Sequence, residues 1–313
     1  MSGFDAPLAP CPFLARYKLG LARPEKEPET ILLDQISEAA FDISVLSDVG
    51  TNRPDNEDSC GLLVEGPDQL IFAVADGMGG YEGGEVASSM AVEITLRAWQ
   101  ESPRDWGPAK RLSRAVQHAN IEIHNRALAV PELRMMGTTL TAVAVDHGSL
   151  AAAHVGDCRL YLIRHHRILQ LTKDHTVTGE WVRMGLLSED AARFHPERSM
   201  LTRNLGHELI VAVDRISMPL VRGDRLVLCS DGLYNVLHDP EIELIARDQH
   251  CSDAARLLID SANQRETADN LTVAVFTMMA ETGLTQAPAG WRGRTGRCGT
   301  RRWPGCRPRW SRC

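Results

Sequence analysis

No apolar run in this 313-residue chain approaches the roughly 20 residues that span a bilayer, which argues against a helical membrane protein. The N-terminus lacks the basic start and apolar core of a secretory signal, so a soluble globular protein of the cytoplasm is expected. Eight cysteines occur without a CxxC or a Cys/His ligand spacing, a usage that fits reduced thiols rather than a disulfide framework or a zinc ribbon. Residues 282–313 hold eight Arg and no acid, which leaves residues 1–281 with 26 basic against 41 acidic side chains, a balance of −15. So acidic a body argues against nucleic acid as its main partner and is compatible with bound cations.

What is present centres on Leu70-Ile71-Phe72-Ala73-Val74-Ala75-Asp76-Gly77-Met78-Gly79-Gly80. The apolar run reads as a fully buried strand that ends in a carboxylate and a glycine-rich turn. The arrangement recurs at Arg225–Gly232 around Asp231 and, less cleanly, at Ala151–Asp157, and Asp269 precedes the apolar run Leu271–Phe276. An Asp-Gly pair alone is an ordinary turn. Asp58, Asp76, Asp157, Asp231 and Asp269 all bordering strand-like runs is a different matter. Two ionised carboxylates about 4 Å apart repel by about 4 kcal/mol at an effective dielectric near 20, so bringing them together requires protons or cations. All-oxygen ligands select Mg²⁺ or Mn²⁺ over Zn²⁺, and a polynuclear site is expected.

Along the chain, residues 1–40 carry Pro7, Pro10, Pro12, Pro24 and Pro28 and read as a mostly flexible extension, with 31–41 open to a short helix or an edge segment. The folded domain is expected over 41–280. Strands are expected near 43–50, 60–64, 137–145, 150–155, 159–163 and 168–171, the last four as two antiparallel hairpins. Helices are expected from Gly83, with Val86, Met90 and Ile94 on the apolar face, and over 108–129, with Leu112, Ala115, Val116, Ala119, Ile123 and Ala127. Residues 172–215 are polar, with a helical piece near 188–194, and read as a mobile flap. Further helices are expected near 240–247 and 252–264, the latter capped by Ser252. The tail over 282–313, Arg-rich with interleaved Trp, has no periodic apolar face and reads as disordered, although its Arg and Trp could stack on nucleic acid or lie at a membrane.

Several motifs have plain alternatives. Gly79 to Gly84 has P-loop spacing, but Glu85-Val86 stands where the loop needs Lys and Ser/Thr, and no GxGxxG is present, so nucleotide binding is disfavoured. Arg53 reads either as a partner of Glu57 or Asp58 or as a bidentate clamp on a phosphoryl group. His154 reads as a satisfied core residue and Cys158 as buried filler.

The set Ser47-Asp48-Val49-Gly50, Arg53-x-x-Asn56-Glu57-Asp58, Ala75–Gly80 with Gly84-Glu85, Gly137-Thr138-Thr139, Val155-Gly156-Asp157-x-Arg159, Ser230-Asp231-Gly232 and Asp269-Asn270 resembles the metal-dependent PP2C (PPM) protein phosphatases, and is most similar to their bacterial branch. The resemblance implies an α+β fold, a two-sheet antiparallel β-sandwich flanked by helix pairs. It also implies a binuclear Mn²⁺ or Mg²⁺ centre. Asp76 would bridge both ions and the Gly77 carbonyl would bind one. Asp231 and Asp269 would hold the other, with Glu57 and Asp58 acting directly or through water. Asp157, with Asp231, would match a third site, and Arg53 would orient the substrate phosphate. The implied reaction is attack of a metal-activated water on phosphoserine or phosphothreonine of a protein, opposing a bacterial Ser/Thr kinase. Met78 departs from members with a His at that position, so the leaving group must take its proton from water or another residue. Tyr81-Glu82 and Cys158 depart as well. Two rival readings are a non-catalytic regulatory protein of the same fold and a phosphatase of a small phosphorylated metabolite.

Overall fold

Strand pairing sorts the chain into two antiparallel sheets. The computed structural model describes residues 29–32, 40–79 and 83–280. In chain order the strands are β1 (Glu29–Leu32), β2 (Phe41–Asp48), β3 (Asp58–Gly66), β4 (Gln69–Met78), β5 (Gly137–Thr138), β6 (Leu140–Asp146), β7 (Ser149–Val155), β8 (Arg159–Arg164), β9 (Arg167–Gln170), β10 (Asp214–Pro219), β11 (Arg225–Cys229) and β12 (Leu271–Met278). The helices are α1 (Gly83–Glu101), α2 (Pro108–Ala129), α3 (Val177–Arg183), α4 (Glu189–Arg193), α5 (Asp231–Tyr234), α6 (Asp239–Ala246) and α7 (Cys251–Asn263). One sheet runs β1-β2-β12-β11-β8-β9 and the other β10-β7-β6-β4-β3, with β5 paired to β4.

Each central strand has two buried faces, which is why its sequence shows no alternation. In β4, Leu70, Phe72 and Val74 point to the layer between the sheets, while Ile71, Ala73 and Ala75 point to α1 and α2. In β12, Ala274, Phe276 and Met278 face the other sheet, while Val273 and Val275 face α6 and α7. Phe276 joins Phe41 and Phe72 at ring-centroid separations of 5.9 and 6.3 Å, at the centre of the inter-sheet layer. The result is the expected α+β sandwich with a helix pair on each outer face. All six apolar positions read on α2 are buried.

α1 corrects one detail. Ile94 of the expected face is buried, but Val86 and Met90 lie only partly covered, and the buried face runs instead through the small Ala87, Ala91 and Val92 to Leu96 and Trp99. The close approach also explains Gly61 of β3, where a Cβ would sit 2.6 Å from Val92 Cγ1. The N-cap of α7 is His250, not Ser252, and Asp42 Oδ2 accepts the Cys251 N–H at 3.1 Å. A carboxylate two hundred residues away in sequence thus satisfies a helix N–H that no local side chain caps.

Both hairpins turn through two residues of positive φ, His147-Gly148 and His165-His166, the backbone that two-residue hairpin loops demand. The strand expected over 137–145 divides at Thr139, so that β5 pairs with Gly77 and Met78 while β6 pairs with the body of β4. Within 172–215 the structure adds α3, capped by the Thr176 hydroxyl, and confirms the helical piece at α4, capped by Ser188. β10 was not expected: it is an edge strand with few apolar residues, positioned by its pairing with β7. Residues Glu29–Leu32 of the expected extension form an edge strand against β2. The rest of residues 1–39, the segment 80–82 with Tyr81 and Glu82, and the tail lie outside the described residues.

Candidate metal centre

Five chain positions deliver the acids by different means. Asp58 opens β3 and stands directly opposite Asp76 across the β3–β4 ladder. Asp76 is not at the end of its strand as the sequence suggested. β4 continues through Gly77 and Met78 because β5 extends the pairing. Asp231 starts α5 just after β11, and Asp269 precedes β12. Asp157 follows β7 across Gly156, whose φ is +107°.

Neutral side chains fix these positions. The Asp76 backbone is held on both sides: its N–H donates to Thr139 Oγ1 at 2.9 Å, and its carbonyl accepts from Thr138 Oγ1 at 2.8 Å. Ser230 Oγ donates to Asp58 Oδ2 at 2.7 Å. Asn56 Oδ1 accepts the Asp58 N–H at 3.0 Å, and Asn270 Oδ1 accepts the Glu57 N–H at 2.9 Å while its amide donates to the Val49 and Asp55 carbonyls. Gly77 donates its N–H to the Glu57 carbonyl at 3.1 Å, and a Cβ on Gly77 would lie 2.2 Å from the Gly84 carbonyl oxygen. Asn56, Ser230 and Asn270 had no assigned role in the sequence reading, although each adjoins an acid in a quoted motif.

Like charges placed directly opposite in a ladder repel. Burial, then the charges of Asp58, Asp231, Asp157 and Asp269, holds the Asp76 carboxyl well above its ordinary range. Burial, with Asp231 and Asp269 adding to it against the Ser230 and Thr272 hydrogen bonds, lifts Asp58 to about 7. Burial and the Asp269 charge lift Asp231 to about 6. Asp157 is raised well above its ordinary value by burial and Asp231, and Glu57 is raised chiefly by burial. Asp231 Oδ1 is buried with no hydrogen-bond partner, while Oδ2 accepts from Asn235 at 3.0 Å. Among the described residues, no three such side chains already stand close enough together to cage an ion. A hard, all-oxygen donor set with an orphaned buried oxygen fits Mg²⁺ or Mn²⁺.

Arg53 pairs with neither Glu57 nor Asp58. Its Nη2 lies 2.9 Å from Asp269 Oδ1, and its Nε donates to the Ala268 carbonyl at 3.2 Å. The side chain is 44% exposed, at the rim rather than in the floor. His154 is a core residue: Nδ1 meets Thr141 Oγ1 at 2.8 Å, Nε2 meets the Lys173 carbonyl at 3.0 Å, and burial lowers its pKa to about 4. Burial pushes the Cys158 thiol well up, so it is no nucleophile. Beside Asp157 and Asp231 opens a cleft of about 460 Å³ that reaches under α3 and α4 and presents Arg183, Arg193 and Arg198. Arg193 Nη2 donates to the Tyr234 and Leu237 carbonyls at 2.6 and 3.2 Å, which ties α4 to the turn that begins with Asp231.

A two-sheet sandwich between helix pairs, with buried carboxylates gathered from several strand ends, defines the class of metal-dependent phosphatases. The family model described as Protein phosphatase 2C matches residues 51–273, and the chain belongs to that family. It is 38% identical over 249 residues to the Serine/threonine phosphatase stp of Listeria monocytogenes, an alignment covering 77% of this chain and 95% of the relative. It is 34% identical over 245 residues to Protein phosphatase PhpP of Streptococcus pneumoniae, covering 77% and 99%. The crystal structure of the serine/threonine phosphatase PstP/Ppp of Mycobacterium tuberculosis superposes with a TM-score of 0.70 at 33% identity, covering 77% of this chain and 99% of that one. The catalytic domain of PstP in complex with two manganese ions superposes at 0.68 and 33% identity, with the same coverage.

Proposed function

We propose that this chain removes phosphate from phosphoserine and phosphothreonine of proteins, using Mn²⁺ or Mg²⁺ held by Asp76, Asp231, Asp269 and the Gly77 carbonyl, with Glu57 and Asp58 directly or through water. The chain is a protein serine/threonine phosphatase, as its relatives are named. The observation that carries the site reading is the set of acids, Asp58, Asp157 and Asp231 buried and Asp76 half-buried, that raise one another's pKa around an Asp231 oxygen with no partner. Asp157 with Asp231 makes a third site.

When bound, the divalent cations supply Lewis acidity that makes water nucleophilic near neutral pH and offset charge on the phosphoryl oxygens. The chain's own residues do the rest. Asp58 and Asp76 stay fixed by Ser230, Thr138 and Thr139 while their charge is compensated. Arg53 orients the phosphoryl group by paired N–H donors once Asp269 no longer holds it. Met78 offers no acid, so the leaving oxygen takes its proton from water or from another residue of the site. Among the described residues the thiols of Cys60, Cys158, Cys229 and Cys251 are all buried, and none is placed to act as a nucleophile.

The substrates are the phosphorylated targets of a bacterial Ser/Thr kinase, and the reaction takes place in the cytoplasm. Support comes from the bacterial serine/threonine phosphatases to which the chain is similar, and no helix among the described residues is long and apolar enough to cross a membrane. Hydrolysis of phosphothreonine peptides and of small phosphorylated metabolites, at equal concentration with Mn²⁺ and with EDTA, tests the reading. Peptide turnover that EDTA abolishes is expected, and a preference for the metabolites would overturn the protein-substrate assignment.

A further inference from the structure

His175 lies fully buried where the cleft floor meets both arms of the flap segment. Its ring and its backbone both grip one residue: the Gly156 N–H donates to His175 Nδ1 at 3.0 Å, and the His175 N–H donates to the Gly156 carbonyl at 2.8 Å. Gly156 has no freedom to escape. A Cβ there would lie 2.4 Å from Thr139 Cβ, and Thr139 is the residue that accepts the Asp76 N–H. The outgoing and returning arms of the flap meet at the same point. Thr202 N–H donates to the His175 carbonyl at 2.8 Å, Thr176 bridges to Leu201, and Val177 N–H donates to Met200 at 2.9 Å.

Because Nδ1 accepts a hydrogen bond, it carries the lone pair, and the ring proton sits on Nε2. Nε2 faces Asp214 Oδ2 at 3.4 Å without hydrogen-bond alignment, and Asp214 is held by Arg203 at 2.8 Å. The His154 ring, 4.7 Å away centroid to centroid, closes the other side. One imidazole therefore joins the turn that carries Asp157, the two flap arms, and β10.

We propose that His175 is a positioning residue that sets the Gly156–Asp157 turn and couples it to the flap, so that cation binding at Asp157 and ordering of residues 176–203 are one event. The coupling rests on the assignment of Asp157 as a metal ligand. Losing the Nδ1 acceptor leaves the buried Gly156 N–H unsatisfied and frees the turn.

Amide hydrogen exchange across residues 176–203, followed against Mn²⁺ concentration in the full chain, tests this without relying on turnover. Mn²⁺ is expected to slow exchange in wild type. His175→Leu should raise the Mn²⁺ concentration for half-maximal protection about tenfold, the cost of roughly one buried hydrogen bond. His175→Asn, whose amide oxygen stands near the Nδ1 position, should restore it. His175→Gln, which reaches toward Asp214 instead, should not, and it serves in place of the Leu variant if that one fails to fold. Wild-type protection in both His175→Leu and His175→Gln would overturn the proposal. Asp157→Asn separates the premise: undiminished Mn²⁺ protection in that variant, with loss in the His175 variants, would overturn the ligand assignment while upholding the role of His175.

Discussion

Asp58 and Asp76 face each other across a ladder, and Asp231 keeps one oxygen with nothing to bond, so the residue scale is where this fold carries its cost. The sign of that cost follows from linkage. Asp58 and Asp231, held at about 7 and about 6, bind protons in the folded state at a pH where the unfolded chain, near 3.8, has released them. The metal-free fold therefore loses stability as pH rises from about 4 through 7. His154 acts oppositely, since a pKa of about 4 costs stability as pH falls below its ordinary 6.5. That contribution is common to metal-free and metal-loaded protein and cancels in their difference. The gain in melting temperature from Mn²⁺ over EDTA should therefore grow between pH 5 and 7.5, by roughly 5 °C or more. A gain that shrinks with pH would contradict the carboxylate assignment. Much at this scale was legible in the sequence: Asp58, Asp76, Asp157, Asp231 and Asp269 were all flagged by their position beside apolar runs. The partners were not. Asn270 bonding Val49, Asp55 and Glu57, and Arg53 reaching Asp269, join residues more than two hundred positions apart, which no local pattern reports.

At the scale of elements, β4 and α2 were legible for opposite reasons. β4 reads as an unbroken apolar run because both its faces are covered, and α2 reads by a one-sided helical period because one face is not. β10 was not legible: Asp214–Pro219 has neither pattern, and its place is set by the β7 edge and by the Arg203–Asp214 pair. The split at Thr139 likewise depends on a tertiary demand, since β5 is needed to carry β4 past Asp76. The flap is joined to the body at defined points, one of which is Arg193 on the Tyr234 and Leu237 carbonyls. Arg193→Ala removes that tie but leaves the acids in place. Steady-state kinetics on a phosphothreonine peptide should show KM raised roughly three- to tenfold with kcat within about threefold, since the group lost touches binding geometry rather than the reacting atoms. A kcat loss beyond about a hundredfold with KM unchanged would show that α4 serves the chemistry itself.

For the whole molecule, charge separates into an acidic body and a basic tail. In the proposed function part of the body's acid is used for cation binding. The tail contributes no acid and none of the proposed ligands, so deletion of residues 282–313 should leave Mn²⁺-dependent turnover within about twofold, and a large loss would make the tail part of the machinery. The fold class was readable from the strand runs, the paired hairpins and the family motifs together, because the sandwich follows from strands with two buried faces and helices with one. The most direct test of the whole account is a comparison of wild type with Asp231→Asn, measuring Mn²⁺ binding and phosphothreonine-peptide hydrolysis on the same preparations. Wild type should bind at least two ions and turn over only with metal, and the variant should bind fewer and lose activity by about a hundredfold or more. An Asp231→Asn protein with undiminished ion binding and turnover would contradict the account.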